Sequence, residues 1–113
     1  MFPISNILYP INLNSKNISS VVKALEIARF FKCTIHILYV NDPGASRWYP
    51  ADHEDAVALK VKEVVPGEVL EKSSIRYAVA KGELAGEIMS YCKNNNIDLI
   101  VTERGAIPPE LAY

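Results

Sequence analysis

Apolar residues in this chain fall into short continuous runs separated by stretches of helical periodicity. The first run, Ile7–Ile11, is apolar throughout and is interrupted in character only by Pro10. Continuous rather than alternating apolarity marks a strand covered on both faces, and so a parallel sheet. Pro10 removes a ladder donor and predicts that the strand ends there. After the Asn12–Asn17 turn, Ile18, Val21, Val22, Leu25, Ala28 and Phe31 recur at helical spacing, which predicts a helix over about Lys16 to Lys32. Asn14 or Ser15 can cap it.

Thr34–Val40 is rich in β-branched and aromatic residues and reads as a second strand. A loop over Asn41–Ala51 carries Trp48 and Tyr49. Asp52 and Asp55 then open a helix to about Val65, with Val57, Val61, Val64 and Val65 as its stripe and Pro66-Gly67 as its breaker. Ser74–Ala80 alternates Ile75, Tyr77 and Val79 with Arg76 and Ala78, the pattern of an edge strand with one face less covered. Leu84 to Asn94 forms a helix on Leu84, Ile88, Met89 and Cys92, and Asn94–Asn96 supplies a stop tolerant of left-handed backbone. Ile97–Thr102 is the fourth strand. Arg104 to Tyr113 reads as an irregular tail because Pro108-Pro109 forbids an ordinary strand.

The order β-α-β-α-β-α-β, with right-handed crossovers, makes a parallel sheet with helices on both faces. Ligands in such sheets bind outside the carboxyl ends of the strands, where strand order reverses. The 113 residues suit one domain, 1–113, which buries roughly 65% of its unfolded surface without metal or disulfide staples. A formal net charge of −1 gives no electrostatic footprint for nucleic acid. No run approaches the roughly 20 apolar residues of a membrane span, and no leader pattern stands at the start, so a cytoplasmic protein is expected. Cys33 and Cys92 are far apart and belong to no metal-ligand pattern.

Several segments together resemble the universal stress protein family. They are Ile7-Leu-Tyr-Pro-Ile-Asn, Ala24-Leu-Glu-Ile-Ala, Ile35-His-Ile-Leu-Tyr-Val-Asn-Asp, Gly82-Glu-Leu-Ala-Gly-Glu-Ile and Asp98-Leu-Ile-Val. The resemblance spans nearly the whole chain. It implies a three-layer α/β fold of the Rossmann-like, adenine-nucleotide α-hydrolase-like type. The implied sheet order is 3-2-1-4, with the switch point between strands one and four and the family's usual fifth strand missing. It further implies a binding or signalling domain in stress response, with ATP, ADP or AMP as the ligand class.

Carried across by motif, Pro10, Asn12 and Val40 match the nucleoside side, and Gly105 matches a glycine of the phosphate-binding pattern. Ile11, Ser15, Thr102 and Arg104 complete the candidate set. Departures weaken the phosphate side. Asn12 stands where an acidic residue is usual and offers a metal no charge. The first phosphate glycine is missing, and no glycine follows Gly105, so small residues for close backbone approach are lacking. Glu103 adds a carboxylate, whose repulsion of a phosphate charge at about 4 Å is about 4 kcal/mol at an effective dielectric near 20; an inward Arg104 offsets it. Weak binding of an adenosine or AMP-sized ligand is the expectation.

Bland readings stand beside these. Asn12 and Ser15 serve equally as turn and cap residues, Arg104 as a solvated loop charge, and Trp48 and Tyr49 as ring packing on their own domain. His53-Glu-Asp lacks the spacing of a zinc helix and reads as acidic residues in a first turn. His36 reads as a packed strand residue. No catalytic set and no metal site are identified. Without a fifth strand, Leu99, Ile100 and Val101 would form an open edge and a template for a homodimer or other partner, unless the Pro108-Pro109 tail folds back over it. A non-nucleotide-binding oligomerisation or interaction module is the alternative function.

Overall fold

The computed structural model describes residues 4–11, 20–41, 54–102 and 105–111. The elements are β1 (Asn6–Pro10), α1 (Ser20–Phe31), β2 (Thr34–Asn41), α2 (Glu54–Lys62), α3 (Gly67–Glu71), β3 (Ser74–Lys81), α4 (Leu84–Asn94), β4 (Leu99–Thr102) and β5 (Gly105–Ile107). A single 3-10 turn, Pro109–Leu111, follows. The sheet order is β3-β2-β1-β4-β5, parallel from β3 to β4 with β5 antiparallel at the end. This is the three-layer α/β fold with the 3-2-1-4 order that the sequence implied.

Successive side chains of a strand point to opposite faces, so each continuous apolar run feeds two cores. Ile7, Ile35, Ile37, Tyr39 and Val101 pack with Val21, Leu25, Val57 and Val61 of α1 and α2. Leu8, Leu38, Val40 and Ile100 pack with Ile88 and Cys92 of α4. β3 lies at one edge of the sheet and is only partly covered, in keeping with its alternation.

Two helix ends show why the chain turns where it does. α1 closes with Lys32 at φ 54°. The Cys33 N–H donates to Ala28 O at 3.0 Å and the Lys32 N–H to Arg29 O at 3.2 Å. This is the double hydrogen bond of a Schellman cap, with a lysine where glycine is usual. α4 ends in the same way, with Asn96 at φ 53° and the Ile97 N–H donating to Cys92 O at 3.0 Å. At the start of β4, the Asp98 Oδ2 accepts from Ser5 N–H and Asn6 N–H at 2.8 and 3.0 Å, while the Asp98 N–H donates to Asn6 O at 2.8 Å. Asp98 thereby locks the register of β4 against β1.

Four sequence expectations are corrected. The fifth strand is not missing: Gly105–Ile107, expected as irregular tail, pairs antiparallel with β4 through Ile100↔Ile107, Val101↔Ala106 and Thr102↔Gly105. The prolines stop this strand after Ile107 rather than preventing it, and the outer edge of β4 is covered over these three pairs. Pro66-Gly67 does not only break α2, because Pro66 stands at the N-cap of α3 and the Leu70 N–H donates to Pro66 O at 3.2 Å. Phe31 continues the stripe of α1 in number only. The chain leaves the helix at Lys32, and Phe31 stays 43% exposed beside Phe30, which is 80% exposed and 5.1 Å away between ring centroids. Leu84, at the first position of α4, is likewise exposed.

His36 is 3% exposed yet fully partnered. Its Nδ1 lies 2.6 Å from the Tyr91 hydroxyl and its Nε2 3.0 Å from Asn6 Oδ1. Asn6 Oδ1 can only accept, so Nε2 carries the proton and Nδ1 accepts from Tyr91 in the neutral ring. Burial, and after it the Arg76 guanidinium, lowers the His36 pKa below its ordinary 6.5.

Candidate functional site

The carboxyl ends of β1, β2, β3 and β4 gather at one pole of the sheet. β1 is paired with β2 through Pro10↔Leu38, and the Ile11 N–H donates to Leu38 O at 2.9 Å. On its other side the ladder to β4 includes Ile7↔Leu99 and Leu8↔Ile100. Beyond these residues β4 continues with β5 through Val101 and Thr102. The strand order reverses between β1 and β4 at this pole. A crevice at this point is where open α/β sheets take their ligands.

Of the sequence-predicted site residues, the structure brings Pro10 and Ile11 at the end of β1, Val40 near the end of β2, Thr102 at the end of β4 and Gly105 at the start of β5 to this pole. Ile11 and Val40 are buried, on opposite faces of the sheet, so their side chains serve the core. Pro10 and Thr102 are partly exposed and Gly105 is exposed. Gly105 adopts φ +130°, and a methyl group there would meet no atom within 4 Å. The Thr102 hydroxyl donates to Gly105 O at 3.4 Å. Asn12, Ser15, Trp48, Tyr49, His53, Glu103 and Arg104 lie outside the described residues.

The structure adds residues at this pole to which the sequence reading assigned no role. The Gly82 N–H donates to Asn41 O at 3.1 Å, fastening the ends of β2 and β3 together. Gly82 has φ +147°, a conformation that strains any side chain, and an added Cβ would also displace the Glu87 carboxylate. Glu83 then caps α4: its two carboxylate oxygens accept from Ala85 N–H at 3.1 Å and Gly86 N–H at 2.8 Å. Free N–H groups at a helix N-terminus are the usual anion site of such folds. At α4 the protein's own carboxylate takes two of them. The signal in the sequence was Lys81-Gly-Glu directly before a helical stripe, with an acidic residue where the dipole favours one.

Among the described residues, no group of three or more His, Cys, Asp or Glu side chains is placed to hold a metal ion. Burial pushes the Cys33 and Cys92 thiols up from their ordinary range, which leaves them poorly nucleophilic. No helix among the described residues is long and apolar enough to cross a membrane.

A parallel core in the order 3-2-1-4, with its switch point between β1 and β4, defines an α/β domain of the adenine-nucleotide α-hydrolase-like class. The chain belongs to the universal stress protein family, whose model matches residues 3–106. Solved structures with a similar fold include the universal stress protein UspA from Lactobacillus plantarum, 25% identical, with 90% of this chain and 78% of that one covered and a TM-score of 0.66. A universal stress protein in complex with cAMP is 12% identical, with 88% and 72% covered and a TM-score of 0.62. A member from Burkholderia pseudomallei is 18% identical, with 87% and 80% covered and a TM-score of 0.57. No match to a curated protein reaches significance.

Proposed function

We propose that this universal stress domain binds an adenosine or AMP-sized ligand weakly in the crevice between β1 and β4, with contacts to further phosphates reduced. The switch point between β1 and β4 carries the reading, because open α/β sheets take ligands where the strand order reverses. A solved neighbour of similar fold is a complex with cAMP, which supports an adenine nucleotide as the ligand class by analogy of fold. Reduced phosphate contact is supported by the missing first glycine of the phosphate pattern, since Thr102 rather than a glycine stands three positions before Gly105.

The test is calorimetric titration with adenosine, AMP, ADP and ATP, with and without magnesium. Adenosine and AMP are expected to bind with affinities within about fivefold of each other, with no gain from added phosphates or metal; fivefold is about 1 kcal/mol. Tight, magnesium-dependent ATP binding would show that the phosphate side is intact. Silence across all four would favour the second reading, a partner-binding or self-associating module. That reading is supported by the exposed residues of β5, the outer strand of the sheet among the described residues.

A further inference from the structure

We infer that the opposite pole of the sheet carries a second site, for the phosphate group of a small phosphate monoester. There a pocket of about 280 Å³ lies between the end of α1 and the α3–β3 joint. Arg29 and Lys32 border it from the last turn and cap of α1, and Lys72 borders it from the C-cap of α3. Ser73 and Ser74 line it on the β3 side, with Cys33 beside them. Among the described residues, three cations and no acid line this pocket, in a chain whose formal net charge is −1.

Helix polarity accounts for only part of this concentration of charge. Arg29 and Lys32 complement the carbonyl end of α1. Lys72 arrives from another element, 40 positions after Lys32, and turns a pair of capping charges into a three-sided cationic pocket. The nearby carboxylate of Asp98 accepts from the Ser5 and Asn6 N–H groups.

The hydroxyls match the same chemistry. The Ser73 hydroxyl is spent on Val69 O at 2.7 Å. Ser74 Oγ lies 3.3 Å from Thr34 Oγ1, and with Thr34 donating, the Ser74 proton is left to turn into the pocket. A guanidinium fork, two ammonium groups and one hydroxyl suit a dianionic, three-oxygen acceptor better than a single carboxylate. The volume lies just below the range typical of drug-sized ligands, enough for a phosphate with a short organic stem.

This site is independent of the β1–β4 crevice, so its test separates from that of nucleotide binding. Inorganic phosphate is titrated into the isotope-labelled protein, followed by amide shifts, with chloride at matched ionic strength as control. Saturable shifts are expected at Lys32, Cys33, Ser73 and Ser74, with Ile11 and Val40 unmoved. Lys32→Gly removes one cation while relieving the left-handed backbone at that position, so the variant stays folded. It is expected to weaken phosphate about fivefold, and Lys32→Gly with Lys72→Gln about 25-fold. Shifts that follow ionic strength alone, or a double variant that saturates like the parent, would overturn the site. Phosphoserine and glycerol phosphate then distinguish the source: tighter phosphoserine points to a modified side chain, tighter glycerol phosphate to a small metabolite.

Discussion

At the scale of single residues, the buried polar group with most at stake is His36. In the neutral ring its two nitrogens are satisfied with the proton on Nε2, Nδ1 accepting from the Tyr91 hydroxyl. Protonation would make the Tyr91 hydroxyl turn from donor to acceptor and would bury a positive charge beside Arg76, the register partner of His36 on β3. The folded pKa lies below the unfolded value near 6.5, so the unfolded chain takes up the proton first. Stability is therefore fully present above pH 6.5 and falls as pH drops through 6.5 toward the lowered folded value. The slope is at most that of one proton, about 1.4 kcal/mol per pH unit. Urea unfolding of the parent and of His36→Gln at several pH values checks this. The parent is expected to lose stability below pH 6.5 relative to the variant, and parallel curves would remove His36 as the cause. His36 was legible in the sequence as a packed strand residue. Its partners were not, because Asn6 and Tyr91 lie 30 and 55 positions away and only the fold brings them together.

At the scale of elements, periodicity found every strand of the parallel sheet, because each run had to fill a core on two faces. It failed where an element depends on a neighbour rather than on its own residues. Gly105-Ala-Ile is too short and too mild to announce a strand, and it becomes one only by pairing with β4. α3 was hidden by Pro66-Gly67, which punctuates the chain but also suits a helix start. The candidate site followed the same rule: the strand ends Pro10, Ile11, Val40 and Thr102 were readable, while the capping role of Glu83 needed the geometry of α4. Glu83→Ala leaves the Ala85 and Gly86 N–H groups without their acceptor and removes a charge that the helix dipole favours. The expected cost is about 1 kcal/mol, read as a lower urea midpoint at unchanged slope. An unchanged midpoint would mean that water replaces the carboxylate without loss.

At the scale of the whole molecule, the sheet has two unlike edges. β3 is eight residues long and carries Arg76 and an exposed Lys81. Such charges discourage a second chain from adding a strand there. β5 is three residues long, carries no charge and is exposed throughout, with Ile107 38% exposed. Pairing of Gly105–Ile107 with β4 thus makes β5 the outer strand of the sheet among the described residues. Only a short ladder can form on three residues, and Pro108 ends it, so association through this edge is expected to be weak. Sedimentation from about 10 μM to about 1 mM is expected to show a reversible monomer–dimer equilibrium with a dissociation constant near 100 μM, about 5 kcal/mol of association. Ile107→Lys places a charge on that edge and is expected to raise the constant at least about tenfold, or about 1.4 kcal/mol. A single-chain mass throughout would show that three residues ending in proline are too few to recruit a partner strand. A dimer indifferent to Ile107→Lys would place the contact on another surface, with the solvent-facing Phe30–Phe31 pair the next to substitute.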